Sequence, residues 1–213
     1  IFLSTFTEKA AKQLKDGLQT ILGMITNKTG IPYDLSRMYI GTVHSLCQKI
    51  IGDRRFIVDR SRVKPPVLLD ELDQYFFVNG TPFWRTAEEL LHIQEEDIRN
   101  QLKEYFGNRS TSRHDTSQSL ISLFNRFSEE NLSIDKLFEH AKVSNSQPFL
   151  HIVKLYAWYK EKLASNNMVD FSLLQQKALH LLIQSEHVIN EFEHVIIDEF
   201  QDTNRIQEQL FFR

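Results

Sequence analysis

The stretch that most constrains this chain lies near its carboxyl end: His194-Val195-Ile196-Ile197-Asp198-Glu199-Phe200-Gln201-Asp202-Thr203-Asn204. The β-branched run Val195-Ile196-Ile197 predicts a short strand buried on both faces, as in a parallel sheet. Two adjacent carboxylates follow at once. Open α/β sheets meet their ligands just past the carboxyl ends of the strands, so Asp198 and Glu199 stand where a nucleotide and its metal would be met. One carboxylate there can hold Mg²⁺, mostly through water, while its neighbour orients or deprotonates an attacking water. Gln201 and Asp202 continue the polar edge, and Thr203 or Asn204 can cap a helix beginning Arg205-Ile206-Gln207. Acidic residues also follow apolar strands for a plainer reason, because a strand leaving a core needs polar residues. The rest of the chain has to decide.

With 213 residues, 41% hydrophobic and 25% charged, the chain can bury a proper core. A formal charge of −3 argues against an overall basic, nucleic-acid-coating character, so any such binding is local. The single cysteine, Cys47, excludes an internal disulfide framework and CxxC zinc sites, which suits a reducing, cytoplasmic setting. No apolar run approaches the length of a bilayer span, and no membrane partner is expected. The sequence opens Ile1-Phe2-Leu3-Ser4, with no initiator Met or basic leader, and stops at Leu210-Phe211-Phe212-Arg213 inside an amphipathic pattern. The expectation is a piece of a longer polypeptide.

Taken in order, residues 1–6 read as a strand. From Thr7 the period changes: Ala10, Ala11, Leu14 and Leu18 recur at helical spacing, with Thr7 as N-cap. Lys9, Lys12 and Lys15 form a stripe that suits a phosphate contact, though a solvated helix face makes such stripes more often. Phe6, at the corner, belongs to the core or presents a ring for base stacking. A turn-prone linker over 26–32 leads to a second strand at 38–40. Then Val43, Leu46, Cys47, Ile50 and Ile51 match a core-facing helix, which makes Cys47 a small core residue. Thr42 and His44 stand at the mouth of that helix, off its apolar stripe.

Beyond about residue 59 the texture turns helical, with segments over 68–77, 86–106, 117–126 and 133–141. The polar stretch 107–119, holding Arg109, Arg113 and His114, reads as an exposed loop, with a DNA-contacting role the lesser alternative. Phe149, Ile152, Val153, Tyr156, Tyr159 and Leu163 give the next helix a long apolar face, with Trp158 beside it. The α/β texture returns at Met168-Val169-Asp170-Phe171, where Asp170 is the expected N-cap of a helix burying Leu174, Ala178, Leu181 and Leu182. The predicted fold is α/β: an incomplete parallel sheet (residues 1–58 and 166–213) interrupted by a mostly α-helical insertion (59–165).

Three segments, in order, resemble one family. Thr5-Phe6-Thr7-Glu8-Lys9-Ala10-Ala11 is similar to motif Ia, TFTNKAA, of the UvrD/Rep/PcrA-type superfamily 1 DNA helicases. Gly41-Thr42-Val43-His44-Ser45 is similar to their motif Ib, GTFHS. Asp198-Glu199-Phe200-Gln201-Asp202-Thr203-Asn204 is identical to the common form of motif II, the Walker B element. Val169-Asp170-Phe171 with Leu174 resembles the stretch preceding motif II. The resemblance covers the whole chain, and it implies a P-loop NTPase (RecA-like) subdomain 1A with the helical subdomain 1B inserted.

The resemblance implies that Asp198 coordinates the Mg²⁺ of bound ATP, Glu199 activates water, and Gln201 senses the γ-phosphate. It implies that Phe6, Thr7 and Lys9 from motif Ia, and Thr42 and His44 from motif Ib, face single-stranded DNA. The family moves 3′ to 5′ along single strands and unwinds duplex DNA, working with further helicase domains of the same polypeptide. Departures are specific. No GxGKT phosphate loop occurs in these residues, so the stretch by itself is expected not to hydrolyse ATP appreciably. Glu8 replaces the usual Asn and sets a negative charge beside the expected DNA path. Gly17 and Val43 replace an arginine and a phenylalanine. Two alternatives stay open: the helicase part of an AddA/RecB-like helicase-nuclease, and a non-hydrolysing DNA-binding scaffold on the same fold.

Overall fold

The structure, a computed structural model, describes residues 1–33, 38–52, 64–184 and 194–212. It divides into two compact units, residues 1–63 with 177–213, and residues 64–176. The boundary expected at 58/59 lies outside the described residues. At the return, residues 166–176 cluster with the helical unit, so that unit extends to Gln176.

The first unit is built on β1 (Phe2–Thr5), which is flanked in parallel by β2 (Tyr39–Thr42) and β5 (Val195–Ile197), in the order β2-β1-β5. β1 is buried along its whole length because it has a neighbour on each side. Thr7 turns the chain from β1 into α1 (Glu8–Thr29), its side chain accepting the Ala10 N–H. The helix runs into the linker expected at 26–32, as far as Thr29. Gly30 ends it at φ 71, the left-handed conformation that lets its N–H reach the Thr26 carbonyl. In α2 (Val43–Gly52) all five expected core positions are buried. Burial pushes the Cys47 thiol up to about 12, so it is a packed core residue and not a nucleophile. α10 (Arg205–Phe211) opens with a capping box, Asn204 and Gln207 each satisfying the other's backbone N–H.

One expectation fails in β5. Val195 and Ile196 are 40% and 52% exposed, where burial on both faces was predicted. Among the described residues β5 pairs only with β1, so its other edge is open. A run of β-branched residues reports what a strand can be buried in, not how many neighbours it has.

The second unit holds α3 (Glu71–Asn79), α4 (Thr81–Leu91), α5 (Glu95–Phe106), α6 (Arg113–Glu129), α7 (Ile134–Ser144) and α8 (Gln147–Ser165), with a two-stranded parallel ladder of β3 (Val67–Leu68) and β4 (Met168–Val169). That ladder was not predicted; two-residue strands carry no readable period. α9 (Phe171–Gln184) begins in this unit and continues into the other. The single helix expected over 86–106 is two, broken where His92 takes φ 58 and closes α4 on the Glu88 carbonyl. The loop expected over 107–119 is shorter. Ser112 accepts the Asp115 N–H and starts α6 at Arg113, a Ser-x-x-Asp start signal that the polar composition concealed. Arg113 is engaged by the Glu95 carboxylate.

α8 packs against α4, α5 and α7. Phe149, Ile152, Val153, Tyr156, Tyr159 and Leu163 are all buried, as their spacing required, and the Phe124 ring lies 5.3 Å from both Tyr156 and Tyr159. Asp170 is the polar centre. Its carboxylate accepts from Tyr159 Oη (2.7 Å), Gln74 Nε2 (3.2 Å) and the Leu173 N–H (2.7 Å), the last bond capping α9. Burial raises the Asp170 pKa despite these donors.

His151 is also buried, and its Nδ1 has no hydrogen-bond partner. Burial, then the Lys154 charge, lowers its pKa below 6.5. The unfolded chain therefore takes up a proton that the folded unit refuses, so stability is full above pH 6.5 and declines as pH falls toward the folded value. Across that window His151→Gln should lose less stability than wild type, measured by amide protection of α8. Equal acid slopes would contradict this. Among the described residues no helix is long and apolar enough to cross a membrane.

Candidate nucleotide and nucleic-acid site

The parallel register sets Thr5 beside Thr42, and Ser4 beside Ile197. The carboxyl ends of all three strands therefore lie at one edge of one sheet, and the three segments singled out in the sequence leave from it. This is the edge at which open α/β sheets meet ligands.

From β5, the Asp198 N–H extends the ladder to the Ser4 carbonyl at 2.9 Å. The chain then turns sharply. Glu199 sits at φ 55, ψ 44, a left-handed conformation uncommon for a residue with a Cβ and a mark of a constrained site. Phe200–Asp202 forms one 3₁₀ turn, closed by Thr203 Oγ1 donating to the Phe200 carbonyl at 2.7 Å. Gln201 Nε2 donates to Glu199 Oε2. Asp198, Glu199, Gln201 and Asp202 are all exposed.

From β1, Phe6 is half-buried at the corner, while Thr7 and Lys9 are exposed at the start of α1 and Lys12 and Lys15 are exposed further along it. Thr5 Oγ1 donates to the Thr7 carbonyl at 3.0 Å and fixes that corner. From β2, Thr42 is buried and His44 is half-buried. Burial lowers the His44 pKa, with the Glu8 charge acting in the opposite direction. Thr42 Oγ1 donates to Glu8 Oε1 at 2.9 Å, joining the first turn of α1 to the start of α2. Sequence reasoning marked Glu8 as a stray charge and missed this bond; no periodicity connects positions 34 residues apart.

The donor set fits a hard cation. Adjacent exposed carboxylates at a strand end suit Mg²⁺, which keeps several waters and takes one or two protein carboxylates beside phosphate oxygens. Among the described residues no group of three or more His, Cys, Asp or Glu side chains gathers into an all-protein cage.

A family model described as UvrD/REP helicase N-terminal domain matches residues 1–213, and the chain belongs to that family. Its fold is accordingly RecA-like, here seen as a small parallel sheet in a mostly helical chain. It is 26% identical over 219 residues to the ATP-dependent DNA helicase SRS2 of Saccharomyces cerevisiae, covering 100% of this chain. It is 28% identical to a probable DNA helicase II homolog of Mycoplasma genitalium and 26% identical to the ATP-dependent DNA helicase PcrA of Bacillus subtilis, each over 99% of this chain. The chain spans only 17%, 26% and 24% of the lengths of these three relatives.

Proposed function

We propose that these residues are the 1A/1B portion of an ATP-dependent DNA helicase, with the sheet-bearing unit as 1A and the helical unit as 1B. The observation that carries this is the shared strand edge, which gathers Phe6 to Lys9, Thr42 to His44 and Asp198 to Gln201. The names of the relatives add support, since SRS2 and PcrA are both ATP-dependent DNA helicases.

Bound Mg²⁺–ATP supplies the phosphoryl group to be hydrolysed and the charge that neutralises it. Asp198 would hold the cation through its carboxylate. Glu199 accepts the proton of the attacking water on a carboxylate oxygen, while the Gln201 amide orients that carboxylate and senses the γ-phosphate. Phe6, Thr7, Lys9, Thr42 and His44 form the face for single-stranded DNA, combining a ring, hydroxyls and a cation. No GxGKT sequence occurs in the 213 residues, so this chain alone does not hydrolyse ATP, and the remaining helicase domains belong to the same polypeptide.

Translocation runs 3′ to 5′. The complete polypeptide should, with ATP and Mg²⁺, unwind a duplex carrying a 3′ single-stranded tail and leave the 5′-tailed duplex paired. Equal unwinding of both substrates, or of neither, would contradict the proposal.

A further inference from the structure

Four side chains between α1 and the β2–α2 corner form a hydrogen-bond chain with a fixed direction. Tyr39 Oη donates to Ser45 Oγ at 3.0 Å, and Ser45 Oγ donates to the Thr42 carbonyl at 2.9 Å. Thr42 Oγ1 accepts the Ser45 N–H at 3.2 Å and donates to Glu8 Oε1 at 2.9 Å. Each hydroxyl has a single proton. Tyr39 spends its proton on Ser45, and Ser45 spends its own on a carbonyl. The Thr42 proton could also point at Ser45 Oγ, 3.1 Å away, but an ionised carboxylate is the stronger acceptor. The chain therefore ends on Glu8, and Thr42 lies buried while Glu8 is exposed above it.

We infer that Glu8 is an intramolecular stand-in for phosphate: its carboxylate holds the Thr42 hydroxyl proton, and a phosphate of an incoming single strand has to displace it before Thr42 can donate. The inference rests on the proposal that this strand edge is the nucleic-acid face. Its consequence is specific. While Glu8 is in place, Thr42 offers a polyanion no proton, and a negative charge stands in the path beside Lys9. The first encounter is left to the ring of Phe6 and to cations further along α1, and the phosphate contact forms only after Glu8 swings away. Glu8 thus sets both the affinity and the salt dependence of this face without touching a reacting atom.

The test is anisotropy of a fluorescein-labelled oligothymidylate titrated with the complete polypeptide across a salt series. Glu8→Gln keeps the length and an acceptor oxygen and removes only the charge; Glu8→Ala removes both. Glu8→Gln should tighten binding about two-fold at low salt, from the charge alone, and Glu8→Ala about five-fold, because only Ala also frees the Thr42 hydroxyl. Both should steepen the plot of log K against log salt by roughly 0.7, the value for one further net charge on a single strand. Adding Thr42→Val to Glu8→Ala should then give back about three-fold, because the freed hydroxyl is what the first change released. Unchanged or weaker binding in both Glu8 variants, with an unchanged salt slope, overturns the inference. Lys9→Ala and Phe6→Ala read the face itself. If either weakens binding while the Glu8 variants do not tighten it, only the Glu8 inference falls. If neither moves the affinity, the nucleic-acid face is wrong and the Glu8 inference falls with it.

Discussion

Glu199→Gln in the complete polypeptide should slow ATP hydrolysis by about 10²–10⁴-fold, the usual contribution of a positioned general base, while nucleotide still binds. The substitution keeps the shape of the side chain. It also keeps the left-handed backbone at φ 55, which Gln tolerates about as well as Glu, so the turn after β5 should stand. Asp198 is untouched and still available to the cation. The property lost is the ability of Oε1 or Oε2 to take a proton from water. The amide of Gln201, which now donates to Glu199 Oε2, would meet an uncharged amide that holds water's proton far less well. Single-turnover hydrolysis together with binding of a fluorescent ATP analogue separates the two effects. Turnover near that of wild type would remove Glu199 from the role of base. Loss of binding alone would shift its role to holding the nucleotide.

Asp170→Ala should destabilise the helical unit by about 3 kcal/mol, because the Tyr159 hydroxyl and the Leu173 N–H lose their acceptor in a buried site. Gln74 suffers less, since its Nε2 also donates to Asn125 Oδ1 at 2.8 Å. The burial cost that raises the Asp170 pKa works in the opposite direction, as removing the carboxylate relieves it. That offset is why the loss stays well short of a sum over all its bonds. For a unit of this size the shift in Tm is on the order of 10 °C. Asp170→Asn keeps an oxygen for the α9 cap but turns an NH₂ toward Tyr159 and Gln74, so about 1–2 kcal/mol is expected. Calorimetry of the complete polypeptide, with amide protection of α8 and α9 as the local readout, distinguishes these values. An Asp170→Ala protein as stable as wild type would mean that water replaces the carboxylate without cost.

Much of this was legible in the sequence where a local physical rule was at work. Thr7 and Asp170 were readable as helix starts because each is a side chain that can satisfy an orphan backbone N–H. Val43, Leu46, Cys47, Ile50 and Ile51 were readable as core because burial follows the helical period. Features that depend on partners distant in sequence were not readable. The exposure of Val195 and Ile196 follows from the number of strands beside β5, which three residues cannot encode. The β3–β4 ladder joins segments about a hundred residues apart and is too short to show alternation. The bond from Thr42 to Glu8 likewise crosses from one strand–helix corner to the next. The break at His92 was missed because His is rarely left-handed, whereas the glycine at position 30 announced its own turn.

At the site, the motifs identified Asp198, Glu199, Gln201, Phe6, Thr7, Lys9, Thr42 and His44 as residue types. Parallel pairing with β1 accounts for their meeting at one edge, and it follows from strand order rather than from any one motif.

The central claim is most directly tested by ATP hydrolysis of the complete polypeptide with and without a single-stranded oligonucleotide, run beside the 213-residue chain and the Glu199→Gln variant. Strong stimulation in the complete polypeptide, none in the 213-residue chain and none in the variant is the predicted result. A complete polypeptide that binds the oligonucleotide yet hydrolyses no ATP would contradict the motor assignment and leave a DNA-binding scaffold in its place.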